Sequence, residues 1–386
     1  MFYLGIDQHR KQLTINLRNE AGDVVTRRQV STRREKIEAF WAELAELTTG
    51  EGGYIAMVEV CGFNDWLLAA LAAQASCQRI LLVQAESRAK HKTDRRDASR
   101  LAELLWTNRE RLLTGKKVQQ LRVIQPPNAL DAEARQLTAL MRRTTKQRTR
   151  TINAIHHVLL KHNRQQDFPT KSIQTKKARK WLKQLELPAI DRLEMDQLLE
   201  QWALWDQQRE QLKHEIEACH ARHPTAPLLT SLPGCGVMSS LALACRIGDV
   251  RRFPRPGSLA NYFGLTPGCR NSGEAQQRLG SITKQGSSLA RFILGQQALQ
   301  LMKRGGPLRR WYKQIKNRRG SKIARVALMR RTVTIIWHML SHEEPYRPLR
   351  TPSARESSSA RVTSARARQK GAAPSVLTAP RPQPAG

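Results

Sequence analysis

Asp94 and Asp97 lie three residues apart in Lys92-Thr93-Asp94-Arg95-Arg96-Asp97-Ala98, within a run of positive charge that also holds Lys90. The chain carries 66 Lys and Arg against 32 Asp and Glu, so a carboxylate pair placed there calls for a reason. Two further acids close apolar stretches. Asp7 follows Phe2-Tyr3-Leu4-Gly5-Ile6, and Glu59 follows Tyr54-Ile55-Ala56-Met57-Val58. Taken together, Asp7, Glu59, Asp94 and Asp97 are expected to converge on divalent metal for phosphodiester chemistry. Hard oxygen ligands suit Mg2+ or Mn2+. Two ions about 3.5–4 Å apart would clamp both the attacking and the leaving oxygen of an in-line displacement. Four acids with nothing between them repel; metal and the neighbouring Lys90, Lys92, Arg95 and Arg96 relieve that. Each acid alone has a plainer reading. Asp7 and Glu59 fit ordinary strand ends, and Asp94 fits a first-turn charge that complements a helix dipole. The combination is what points to metal.

The elements that must position these acids follow from periodicity. Phe2 to Asp7 reads as a buried strand, and Gln12 to Arg18 alternates with the period of a half-buried one. A turn at Asn19–Asp23 leads to a third strand, Val24 to Val30. The spacing of Ile37, Phe40, Trp41, Leu44 and Leu47 predicts a helix over 34–47. Then come a strand over 54–60, a helix over 65–75, a strand over 80–83 and a helix over 97–106. A hairpin meander followed by alternating helix and strand is the ribonuclease-H-like order, a mixed α/β sheet with helices packed on it. Acids on neighbouring strand ends, about 4.8 Å apart, can share an ion. Asp94 and Asp97, at i and i+3, fall on one face of a helical turn and complete the set.

The formal charge of +34 and a pI near 11 make a polyphosphate the expected partner. No apolar run of about 18 residues, signal peptide or lipidation motif argues for a membrane. The expected setting is the cytosol. The six cysteines, Cys61, Cys77, Cys219, Cys235, Cys245 and Cys269, form no C-x-x-C and no zinc spacing with His. Reduced, mostly buried thiols are expected.

Pro126-Pro127 marks a boundary. Breaker-free stretches then run from Ala129 to His162 and from about Asp191 to Arg222. They predict two long antiparallel helices or a coiled-coil arm, with Leu193, Leu198, Trp202, Trp205, Leu212 and Ile216 buried in the second. Arg135, Arg142, Arg143, Lys146, Arg148 and Arg150 cluster on the first. They suit phosphate contact, or else a solvated face. Leu232-Pro233-Gly234-Cys235-Gly236 before a helix resembles a helix-hairpin-helix turn, in which Gly234 and Gly236 let backbone amides approach a phosphate. A tight structural turn is the alternative. Further on, Arg270-Asn271-Ser272-Gly273 forms a polar loop, followed by Arg278, Lys284 and Arg291. A serine becomes a nucleophile only where charge on it is stabilised. By composition alone Ser272 fits a turn as well, and Ser281, Ser287 and Ser288 are equally eligible.

These residues together resemble the DEDD transposases of bacterial insertion sequences, the IS110 family, whose relatives include the Piv-type DNA invertases. The resemblance is carried by Gly5-Ile6-Asp7, Val58-Glu59-Val60-Cys61-Gly62, Lys92 to Ala98 and Leu232-Pro233-Gly234-Cys235-Gly236. It continues in Gly264-Leu265-Thr266-Pro267, Asn271-Ser272-Gly273, Ile282-Thr283-Lys284-Gln285-Gly286 and Arg291. It implies a first domain with Asp7, Glu59, Asp94 and Asp97 as the acidic tetrad. It also implies a transposase domain whose serine, matched by Ser272, attacks DNA to form a phosphoserine. Family members act as homo-oligomers, dimers or tetramers, with acids of one subunit beside the serine of another. They are guided by a structured RNA that pairs with target and donor DNA. Where many relatives have Asn, this chain has Ser287.

The expected division is a RuvC-like domain over 1–115, a helical coiled-coil arm over 116–225, a mainly helical transposase domain over 226–342 and a basic tail over 343–386. The tail is Pro-, Ser-, Ala- and Arg-rich, without apolar periodicity, and reads as disordered. Lys92, Arg95, Arg96, Arg142, Arg143, Lys146, Gly234, Gly236, Arg278, Lys284 and Arg291 are the expected nucleic-acid contacts. Two other functions fit parts of the pattern: a junction-type nuclease that works without the serine, and a non-catalytic nucleic-acid-binding protein.

Overall fold

Strands rich in Ile, Leu and Val open the chain, and a computed structural model shows how they assemble. It describes residues 1–85, 94–116, 118, 121–270 and 278–347. Lys92, Ser272 and the tail beyond residue 347 lie outside them, as do the side chains of Asp94, Arg95, Arg96 and Arg278. The described chain forms two compact units, divided between Pro126 and Pro127.

The first unit holds one six-stranded mixed sheet. Strands β1 (Phe2–Gln8), β2 (Gln12–Arg18) and β3 (Val24–Ser31) form an antiparallel meander. Helix α1 (Arg34–Thr48) leads to β4 (Tyr54–Glu59), which pairs with β1 in parallel. Helix α2 (Asp65–Ala72) leads to β5 (Cys77–Ala85), parallel to β4. Helices α3 (Asp94–Thr107) and α4 (Arg109–Leu113) precede β6 (Leu121–Ile124), antiparallel to β5. The strand order is β3-β2-β1-β4-β5-β6, consistent with a ribonuclease-H-like domain.

The period of two along each strand sends alternate side chains to opposite faces. Leu4, Ile6, Ala56, Val58 and Leu82 pack with Phe40, Trp41 and Leu44 of α1 and with Leu67 and Leu71 of α2. Tyr3, Ile55, Met57, Leu81 and Val83 pack with Leu101 and Leu105 of α3. β6 lay outside the sequence expectation. It has four residues, two of them exposed, which is too short to show a period.

The second unit is helical apart from one hairpin. Helices α5 (Ala129–Lys161) and α7 (Ala189–Arg222), with the short α6 (Lys176–Gln184) between them, form a long pair. Glu133–Arg222, Arg148–Asp206 and Lys161–Asp191 bridges join them, so the two run antiparallel. The buried stripe of α7 passes through Asp191, Met195, Trp202, Ile216 and Cys219. Leu193, expected in that stripe, is 55% exposed. It sits two residues from Asp191 and from Met195, on the opposite side of a 3.6-residue turn. Toward one end the pair has its own core of Ile155, Leu159, Met195 and Trp202 with Leu182 of α6.

At the other end, Ala134, Ile216 and Cys219 join a larger core built by the later helices. These are α8 (Ala226–Thr230), α9 (Val237–Ile247), α10 (Pro256–Tyr262), α11 (Ser288–Lys303), α12 (Pro307–Arg319) and α13 (Ser321–His342). Strands β7 (Pro267–Arg270) and β8 (Arg278–Ile282) form the hairpin. No helix among the described residues is long and apolar enough to cross a membrane.

Candidate active site

Ile6 of β1 pairs with Val58 of β4 in parallel register. Asp7 and Glu59 come one step later, near the ends of these neighbouring strands, whose backbones lie about 4.8 Å apart. Alternation puts both on the face that packs against α3. Across that face, α3 buries Ala98, Leu101, Ala102 and Leu105. Asp97 precedes Ala98 and sits one turn before Leu101, at the edge of this face and half-buried. Asp94 is the first residue of the helix.

Gly5 makes this approach possible. A Cβ there would lie 2.4 Å from the Ala102 nitrogen and 2.5 Å from the Ala98 carbonyl oxygen. Only a glycine lets the α3 backbone lie this close to β1. The Asn16 amide on β2 also donates to Ser99 Oγ of α3 at 3.1 Å. The Gly-Ile-Asp opening and the Asp-Ala pair therefore belong to one packing arrangement.

A buried amide pair holds the strand ends. Gln8 and Asn64 are 5% and 4% exposed. Asn64 Nδ2 donates to Gln8 Oε1 at 2.8 Å and to the Glu59 carbonyl at 3.2 Å. Asn64 Oδ1 accepts from the Cys61 amide at 2.6 Å, and Gln8 Nε2 donates to the Phe63 carbonyl at 3.0 Å. The residue after Asp7 is thus tied to the loop after Glu59. Sequence reasoning missed both amides, because their partners lie 56 positions apart. It also missed His9, whose Nε2 lies 2.9 Å from Asp7 Oδ2. His9 stands just past the end of β1, and its D-x-H spacing from Asp7 was the available signal.

Among the described residues, no group of three or more His, Cys, Asp or Glu stands at metal-ligating range. Asp94 is one of the four expected ligands, and its side chain lies outside the described residues. What the described acids offer is hard carboxylate oxygen near the ends of the two central strands; the Asp7 side chain is 13% exposed. Such donors suit Mg2+ or Mn2+.

In the second unit, β7 and β8 carry between them the segment that includes Ser272. Two glycines fix the base of this hairpin. Gly264 has φ +64 and Gly286 has φ +72. A Cβ on Gly264 would come within 2.2 Å of the Gln285 carbonyl oxygen, and one on Gly286 within 2.1 Å of that of Tyr262. The Arg291 guanidinium Nη1 donates to the carbonyls of Phe263, Gln285 and Gly286 at 3.1, 2.6 and 3.2 Å. Arg291 thereby clamps the hairpin base, while Lys284, at φ 56, is exposed.

Gly234 has φ +80, and a Cβ there would sit 2.9 Å from Gln300 Cβ of α11. That turn is pressed against a helix. Gly236 is the N-cap of α9 and faces open space.

The basic cluster on α5 divides. The Arg148 guanidinium donates to Asp206 at 2.5 Å and that of Arg135 to the Cys245 carbonyl at 2.8 Å, so both hold helices together. With Arg179 adding a second bond, Asp206 keeps its carboxyl below the usual range although burial pushes the other way. Arg142, Arg143, Lys146 and Arg150 instead line an open cleft. Burial pushes the Cys235 thiol up to about 12 and that of Cys245 to about 11, which keeps both inert.

Comparison with known proteins agrees with this arrangement. A DEDD transposase model of the IS110 type matches residues 4–163, and a model described as the transposase IS116/IS110/IS902 family matches residues 226–314. The transposase for insertion sequence element IS1111A of Coxiella burnetii is 26% identical over 334 residues, covering 82% of this chain and 85% of that relative. A probable family 20 transposase of Pseudomonas aeruginosa is 31% identical over 36% of this chain and 41% of its own length. An uncharacterized 43.6 kDa protein of insertion element IS110 from Streptomyces coelicolor is 42% identical over 17% of this chain and 16% of its own. One match spans the strands that carry Asp7 and Glu59, the other the hairpin around Ser272. In that order on a single chain, they show that the protein belongs to the IS110/IS116/IS902 family of insertion-sequence transposases.

Proposed function

We propose that this transposase cuts and exchanges DNA strands with the acids of its first unit and the hydroxyl of Ser272. The carrying observation is that Asp7 and Glu59 directly follow the paired Ile6 and Val58 on parallel neighbours, on the face that receives the start of α3. Asp7, Glu59, Asp94 and Asp97 would hold Mg2+ or Mn2+, which when bound supplies charge stabilisation for phosphoryl transfer. Gln8 and Asn64 keep the two strand ends in register with each other. Gly264, Gly286 and Arg291 hold the base of the hairpin whose two strands flank Ser272 in the sequence. Ser272 Oγ forms a bond to phosphorus, the strand's own P–O bond breaks, and the departing sugar oxygen takes up the hydroxyl proton.

Homo-oligomers, in which acids and serine come from different subunits, fit this division of labour, with α5 and α7 as a coiled-coil arm. The open N-terminus of α9 at Gly236 suits a backbone phosphate in the manner of a helix-hairpin-helix. The high positive charge supports a grip on a structured guide RNA by its backbone. A cytoplasmic, nucleoid-bound protein is the matching location.

The test is strand exchange between donor and target plasmids carrying the element's flanking DNA, with Mg2+ or Mn2+ present. Asp97→Asn and Ser272→Ala each abolish exchange, with melting temperatures unchanged. If Ser272→Ala still cuts, the protein is a nuclease that works without the serine. If Asp97→Asn is fully active, the acidic site is misassigned.

A further inference from the structure

Helices α5, α7, α9 and α11 enclose an open cleft of about 1140 Å3 within the second unit. Its walls carry Arg142, Arg143, Lys146, Arg150, Arg209 and Lys213, against one acid, Glu217. Arg142, Lys146 and Arg150 recur every four residues, a single stripe along α5. The floor is apolar, with Met141, Val237, Met238 and Phe292. Phe292 is 49% exposed, and the Arg142 guanidinium lies 4.8 Å from its ring centroid. An exposed phenyl ring is an odd floor for a wall of cations, unless the occupant is anionic on one side and flat and apolar on the other. A sugar–phosphate strand with unpaired bases has both properties. Its phosphates match the cations, and its bases stack on aromatic and guanidinium planes. A duplex keeps its bases stacked inside and offers this floor nothing.

We propose that this cleft binds an unpaired polynucleotide segment, with a base stacked on the Phe292–Arg142 pair and phosphates along the Arg142–Lys146–Arg150 stripe. The proposal rests on reading the protein as a nucleic-acid enzyme, but on neither its acids nor Ser272. A guide-RNA loop and a displaced DNA strand share this chemistry.

The test is fluorescence polarisation with full-length protein carrying Asp97→Asn, in EDTA, so that binding is read without cleavage. The probes are a 20-nucleotide oligo-U, a 20-nucleotide oligo-dT and a 20-base-pair duplex. Phe292→Ala should weaken single-strand binding at least about fivefold and leave duplex binding within twofold, while Phe292→Trp restores it. Lys146→Gln with Arg150→Gln should lower the salt slope for single strands by about 1.4, two contacts at about 0.7 each. Preference for oligo-U assigns the cleft to RNA, and preference for oligo-dT to a DNA strand. Equal loss of single-strand and duplex binding in Phe292→Ala would overturn the proposal, as would no loss at all. So would a change in oligomeric state with single-strand binding intact, which would make the cleft a protein interface. Loss of strand exchange in Ser272→Ala bears on the catalytic reading and leaves this result unaffected.

Discussion

Replacing Gly5 by alanine adds one methyl group where two strands and a helix meet. The added carbon would sit 2.4 Å from the Ala102 nitrogen and 2.5 Å from the Ala98 oxygen, and ordinary van der Waals contact begins near 3.4 Å. The shortfall is therefore about 1 Å, and both obstructing atoms are backbone, so no side chain can swing aside. Overpacking of this kind costs about 1–3 kcal/mol, or roughly 4 °C of melting temperature per kcal/mol in a unit of this size. The strain is relieved by α3 moving away from β1. Asp97 moves with it, since it stands one position before Ala98. A displacement of about 1 Å at a reacting centre can cost about a hundredfold in rate. Gly5→Ala should thus remain folded at 25 °C, melt several degrees lower, and exchange strands about a hundredfold more slowly. Gly50→Ala, which meets nothing within 4 Å, should change neither. Circular dichroism melting and a quantitative plasmid exchange assay read both effects. A Gly5→Ala protein with wild-type exchange would show that the α3–β1 distance does not set the position of the acids.

Asn64→Ala leaves Gln8 Oε1 without its amide donor in a buried setting, and should cost about 1–3 kcal/mol in urea unfolding and slow exchange. Unaltered activity would mean the strand ends need no tie. Arg291→Lys replaces a guanidinium that spans three carbonyls with a point donor. Hydrogen exchange at the Lys284 amide, which bonds the Gly264 carbonyl at 3.1 Å, should quicken about tenfold, and strand exchange should fall, with little change in global melting. Asp206, held low by Arg148 and Arg179, stabilises the α5–α7 pair while it is ionised. A lowered carboxyl contributes above its unfolded value and loses that contribution as pH falls through its folded one. The stability gap between wild type and Asp206→Asn should be full at pH 7 and close progressively below about pH 4; a gap independent of pH would contradict the assignment.

Much of the first unit was legible because it follows simple periods. Alternation in 12–18 and the apolar runs ending at Asp7 and Glu59 gave the strands, and their order gave the sheet. The long helices α5 and α7 were legible for want of breakers. Side-chain partnerships were not. The Gln8–Asn64 tie joins residues far apart in sequence, and only the folded register reveals it. Leu193 shows the limit of choosing the buried stripe from leucines: Met195 and the ion-paired Asp191 set the phase instead. Arg135 and Arg291 carry ordinary basic charge, yet each is committed to backbone carbonyls. Helix α12 was missed because its apolar residues Leu308, Trp311, Tyr312 and Ile315 are interspersed with six cations.

The central claim is that Asp7, Glu59, Asp94 and Asp97 share common ions. Mn2+ binding followed by electron paramagnetic resonance tests it without relying on catalysis. Asp7→Asn, Glu59→Gln and Asp97→Asn should each remove the same bound Mn2+ signal, whereas Asp65→Asn, at the start of α2, should retain it. Absence of bound Mn2+ in the wild type, or three variants that each bind as the wild type does, would contradict a shared site.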